Sequence, residues 1–99
     1  MSLKKQLNKL ANQCAGLLKN NYPTKRIFLI GSLAKGIVHE HSDIDLVVEG
    51  LPAELYIKAL TELYDLLPPD VELNLIPYED AFDSLKEKAL SEGKLIYAS

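Results

Sequence analysis

The segment Ser42-Asp43-Ile44-Asp45-Leu46-Val47-Val48 sets two carboxylates into a stretch otherwise made of aliphatic residues. Side chains alternate across a strand, so Asp43 and Asp45 project from one face while Ile44, Leu46 and Val48 project from the other. A second strand pattern, Val71–Ile76, repeats the arrangement with Glu72 and Asn74 on one face and Val71, Leu73 and Leu75 on the other. Burial should discourage acids at such positions. If the two strands are neighbours, Asp43, Asp45 and Glu72 converge on one side of a sheet. Three carboxylates held close repel one another unless a cation lies between them, and all-oxygen ligands select Mg²⁺ or Mn²⁺.

The rest of the chain supplies a scaffold for those strands. Leu3, Leu7, Leu10, Ala11, Cys14, Leu17 and Leu18 recur at helical spacing, and Asn20-Asn21-Tyr22-Pro23 stops the helix. Arg26–Ile30 reads as a buried strand ended by Gly31. The acid-bearing strand covers Asp43–Glu49, and Pro52 suits the first turn of a helix marked by Leu55, Tyr56, Ala59, Leu60, Leu63 and Leu67. After the strand at Val71–Ile76, a last helix is predicted from about Glu79 to Leu90, with Phe82, Leu85 and Ala89 on its inner face. Gly93 is its C-cap, and Leu95-Ile96-Tyr97 adds a short edge strand. The order α-β-(turn)-β-α-β-α, with its strands in one small mixed sheet and helices layered on it, is an α+β fold. The chain of 99 residues is expected to form a single domain, since a domain takes roughly 100–200 residues.

Composition narrows the chemistry. Cys14 is the only cysteine, which excludes an intrachain disulfide and a cysteine zinc cluster. It sits on the apolar face of the first helix and reads as a small core residue. His39 and His41 flank Glu40, yet no third ligand stands at a sensible spacing, so they read as loop histidines. The net charge of −3 argues against an extended phosphate-gripping surface for nucleic acid. No apolar run approaches the roughly 20 residues of a membrane span, and a cytoplasmic location is the expectation.

Upstream of the two aspartates lies Ile30-Gly31-Ser32-Leu33-Ala34-Lys35-Gly36. A strand ending in Gly-Ser and turning into a short helix points backbone N–H groups at its mouth, with the Ser32 hydroxyl as a further donor and Lys35 as a nearby cation. Gly31, without a Cβ, permits close approach of a phosphate. A phosphate cradle facing a carboxylate cluster is what metal-assisted phosphoryl or nucleotidyl transfer requires.

Gly31-Ser32, ten further residues and then Asp43-Ile44-Asp45 resemble the signature of the DNA polymerase β-like nucleotidyltransferases, and the flanking residues resemble its minimal nucleotidyltransferase (MNT) group. The resemblance extends over nearly the whole chain. It implies transfer of NMP, AMP from ATP in the first reading, to a hydroxyl acceptor with release of pyrophosphate. It further implies that Gly31, Ser32 and Lys35 hold the triphosphate, that Asp43 and Asp45 ligate Mg²⁺ or Mn²⁺, and that Glu72 completes the site and helps deprotonate the acceptor. Glu72 stands where Asp is usual, and Leu33 occupies a position often basic or polar in relatives. Small proteins of this group are paired with HEPN-type partners as antitoxins, so the implied acceptor is a partner protein. Independently, the helical apolar positions of so short a chain are expected to leave a patch uncovered, which a homodimer or hetero-oligomer would bury. The alternative is a degenerate domain that neutralises its partner by contact alone; modification of a small molecule would call for a second domain.

Overall fold

The computed structural model describes residues 3–37 and 42–99. Helix α1 (Leu3–Asn21) leads into strand β1 (Arg26–Ile30) and a single helical turn, α2 (Gly31–Ala34). Strand β2 (Ser42–Glu49) is followed by a 3₁₀ turn at Ala53–Leu55, helix α3 (Tyr56–Leu66) and strand β3 (Val71–Pro77). A 3₁₀ turn at Tyr78–Asp80, helix α4 (Asp83–Ser91) and strand β4 (Lys94–Ala98) complete the chain. The four strands form one sheet in the order β3-β2-β1-β4. β1 runs antiparallel to both β2 and β4, while β2 and β3 are parallel. The sheet is therefore mixed, as an α+β chain with α3 as its one crossover helix demands. His39 and His41 lie outside the described residues.

Period-2 alternation divides the sheet into two unlike faces. Ile27 and Leu29 of β1, Ile44, Leu46 and Val48 of β2, and Leu73 and Leu75 of β3 enter the main core beneath α1 and α3. From α1 the core takes Leu7, Ala11, Cys14, Ala15 and Leu18, and from α3 Ala59 and Leu63. Cys14 is fully buried, and burial pushes its thiol up to about 11, as befits a core residue without redox or ligand duty. On the opposite face Phe28, Ile30 and Val47 are covered by Ala89 and Leu85 of α4, with Ile76 and Tyr78 alongside. This second layer is short because α4 has only nine residues. The half of that face bearing Asp43, Asp45, Glu72 and Asn74 is left outside it.

Several boundaries differ from the expectation, each for a local reason. Phe82 is 83% exposed and does not belong to the inner face of α4. Its backbone is extended (ψ 153°), one residue ahead of the helix, so the helical period that selected it does not yet apply. Leu3, on the predicted apolar stripe of α1, is likewise exposed. Pro52 precedes the 3₁₀ turn in an extended conformation rather than entering α3. Leu67 falls just outside α3, with ψ 148°, because the ring of Pro68 disfavours helical backbone in the preceding residue. Tyr56 and Tyr64, one on each end of α3, donate to the carbonyls of Leu75 (2.6 Å) and Leu73 (2.9 Å). These carbonyls lie on the free edge of β3, so α3 both roofs the core and closes a sheet edge that would otherwise be open to pairing.

One cross-strand pair stands at the far end of the α4 face. Arg26 donates to Glu49 through Nε (2.7 Å) and Nη2 (3.0 Å), directly across the β1–β2 ladder. Its guanidinium also lies over the Phe28 ring, 5.3 Å from the centroid. The hydrogen bond from Arg26 lowers the Glu49 carboxyl below the ordinary glutamate value, against the opposing effect of burial. Because the folded-state pKa is the lower one, the pair stabilises the protein at neutral pH and loses that contribution as the pH falls through the carboxylate range. Thermal midpoints of wild type and Glu49→Gln should therefore differ at pH 7 and converge toward pH 3. A difference that stays constant over that range would exclude the ion pair as its origin.

Candidate active site

Strand β2 carries Asp43 and Asp45 on the face that α4 leaves uncovered. In the parallel ladder Asp43 faces Glu72 and Asp45 faces Asn74, so all four polar side chains share that face. Two like charges meet at the first position, a carboxylate and a neutral amide at the second. The amide is used: Asn74 donates from Nδ2 to Oδ1 of Asp45 at 2.7 Å. Asp43 and Glu72 are exposed, and neither has a hydrogen-bond partner among the described residues.

The β1–α2 junction approaches Asp45 from the other side. Ile30, the last residue of β1, pairs with Asp45, and Gly31 follows with φ +77°. A Cβ on Gly31 would lie 2.5 Å from Oδ2 of Asp45, closer than real Cβ contacts come. Gly31 thus answers two demands at once: a left-handed backbone and the proximity of a carboxylate. The turn α2 that it opens is pinned by Leu33, which is 5% exposed and packs in the main core. The Leu33 side chain therefore points away from the acids, and its apolar character belongs to the fold rather than to the site. Ser32 and Lys35 remain exposed. The carbonyl of Ser32 accepts from the N–H groups of Lys35 (3.1 Å) and Ile37 (2.9 Å), which closes the turn.

A second cation stands nearby. The Nζ of Lys4 on α1 lies 3.1 Å from where a Cβ on Gly36 would be. Lys4 lies on the exposed side of α1, yet its side chain reaches the end of the α2 turn, where α1 packs on α2. Asp45 is thus in contact with both Gly31 and Asn74, and the register sets Asp43 and Glu72 beside it on the same face.

The donor set is entirely oxygen and suits Mg²⁺ or Mn²⁺. Among the described residues no group of three His, Cys, Asp or Glu side chains is gathered as a ready-made metal site. Mg²⁺ does not need one, since it commonly takes one or two protein carboxylates and completes its shell with substrate phosphates and water. The pair Asp43 and Asp45 meets that requirement in number and in kind.

No helix among the described residues is long and apolar enough to cross a membrane. Comparison with curated protein sequences gives no significant match. Solved structures do match. A toxin–antitoxin crystal structure with AMP-PNP aligns with a TM-score of 0.75 at 27% identity, over 90% of this chain and 73% of that one. The toxin–antitoxin MntA-HepT aligns with a TM-score of 0.69 at 23% identity, over 93% and 73%. A complex of tri-AMPylated Shewanella oneidensis HEPN toxin with MNT antitoxin aligns with a TM-score of 0.65 at 24% identity, over 94% and 73%. The family model for polymerase beta nucleotidyltransferases matches residues 12–99, which include β1, the Gly31 turn and all three acids. By that match the chain belongs to the polymerase β nucleotidyltransferase family.

Proposed function

We propose that this chain transfers AMP from ATP, with Mg²⁺ or Mn²⁺, to a hydroxyl of a HEPN-type partner protein, as the antitoxin of a toxin–antitoxin pair. The observation that carries this reading is the contact between the Gly31 turn and Asp45, because a phosphate-binding turn is useful to nucleotidyl transfer only when it abuts the acids. Family membership supplies the reaction class. The neighbour at 27% identity, a toxin–antitoxin solved with AMP-PNP, supports the choice of an adenine nucleotide and of a protein partner. The HEPN class of that partner is carried over from the MNT antitoxin complex.

In this reading Gly31 and Ser32 present backbone N–H groups and a hydroxyl to the triphosphate, and Lys35 offsets its charge. Asp43 and Asp45 hold the divalent cation, which when bound neutralises phosphate charge and polarises the α-phosphoryl group. Glu72, on the neighbouring strand beside Asp43, accepts the proton of the acceptor hydroxyl. The acceptor oxygen bonds to the α-phosphorus, the bond to the bridging oxygen breaks, and pyrophosphate leaves. The partner brings its acceptor hydroxyl to this face in the hetero-oligomer.

The test is incubation with α-labelled ATP, Mg²⁺ and a candidate HEPN-type partner protein. Label should appear on the partner, and EDTA should prevent it. An unlabelled partner that is nonetheless neutralised would replace transfer with inhibition by contact.

A further inference from the structure

Asn74 is part of neither the family signature nor any role assigned above, yet it makes the one side-chain hydrogen bond to the proposed metal-binding aspartates among the described residues. The torsion that rotates a carboxylate about its Cβ–Cγ bond is soft, so an aspartate does not choose an orientation by itself. Here two neighbours choose it. Oδ1 is taken by the Nδ2 of Asn74 from β3, and Oδ2 lies in the space that the absent Cβ of Gly31 leaves open. Asp45 thereby spans the gap between β3 and the α2 turn.

The chemistry of position 74 is constrained by that placement. A lysine there would cancel the charge of Asp45, and an acid would add a fourth carboxylate to Asp43, Asp45 and Glu72. A neutral amide orients the carboxylate through a donated hydrogen bond and leaves its charge in place. We infer that Asn74 is a positioning residue for the Asp45 carboxylate, presetting it for the cation; this deepens and rests on the nucleotidyl-transfer reading. Partners of ligating carboxylates typically change metal affinity or activity by about 10- to 100-fold when removed.

Two substitutions separate orientation from shape. Asn74→Leu keeps the branched outline and removes the donor, whereas Asn74→His keeps an N–H the same number of bonds from the backbone. Mn²⁺ alone is the probe, with binding read from loss of the free-ion paramagnetic resonance signal. Thermal midpoints are recorded without metal. Asn74→Leu should bind Mn²⁺ about tenfold or more weakly, at an essentially unchanged midpoint because residue 74 is exposed. Asn74→His should recover most of the loss. Wild-type affinity in Asn74→Leu, or no recovery in Asn74→His, overturns the inference while the transfer reading stands. A wild type that binds no Mn²⁺ overturns the transfer reading, and this inference falls with it.

Discussion

Asp45→Asn should abolish transfer to the partner while leaving the thermal midpoint unchanged or slightly raised. The two effects diverge because the carboxylate serves different ends in the two states. In the metal-free protein Asp43, Asp45 and Glu72 lie on one exposed face, with Asp43 opposite Glu72, and their charges repel. Replacing one of them by an amide relieves repulsion, and the new side chain can still accept from Asn74 through its own Oδ1. In the proposed metal-loaded state the same replacement removes a charged ligand from the cation. A loss of about 3–5 kcal/mol in transition-state stabilisation is the scale for such groups, roughly a hundred- to several-thousand-fold in rate. Asp43→Asn should behave alike. The measurement is initial rate of label transfer beside a thermal melt of each variant. Full transfer by Asp45→Asn would remove the aspartates from the mechanism, and a collapse of the midpoint would make their role structural.

The acids were readable in the sequence because strand alternation is a rigid period: once β2 is a strand, Asp43 and Asp45 must share a face. The same rule placed Glu72 and Asn74 together on β3. What it did not contain is the register between the strands, and only the register puts the amide of Asn74, rather than the carboxylate of Glu72, against Asp45. The direction of Leu33 is not legible in the sequence for a related reason. A helix of one turn has no period to read, so whether residue 33 faces the phosphate side or the core is decided by where β1 delivers the chain. Phe82 was drawn onto an inner face by extending a helical pattern backward through the turn at Tyr78–Asp80, where the backbone is not helical. Helical spacing alone does not say what the hydroxyls of Tyr56 and Tyr64 on α3 bond to. The structure assigns them a particular task, hydrogen bonding the free edge of β3.

Two glycine-to-alanine substitutions should move stability in opposite directions, and only one should touch the chemistry. Gly16 lies within α1, where an added Cβ meets no atom within 4 Å. Alanine there gains helix propensity of about 1 kcal/mol, worth roughly 4–8 °C in a domain of this size. Gly31 is the opposite case. Its φ of +77° costs an alanine about 1–2 kcal/mol, and its Cβ would stand 2.5 Å from Oδ2 of Asp45. Backbone cannot yield easily at this point, since Ile30 is held in the β1–β2 ladder and Leu33 is anchored in the core. The carboxylate must therefore rotate, which breaks its bond to Asn74 and turns it from the orientation proposed for the cation. Gly31→Ala should lower the midpoint by roughly the same 4–8 °C per kcal/mol and reduce transfer about a hundredfold or more, since misplacement near 1 Å has that cost. Adding Gly16→Ala to Gly31→Ala should recover part of the midpoint without restoring transfer. Recovery of transfer together with stability would show that Gly31 serves the fold alone and that its proximity to Asp45 has no part in the reaction.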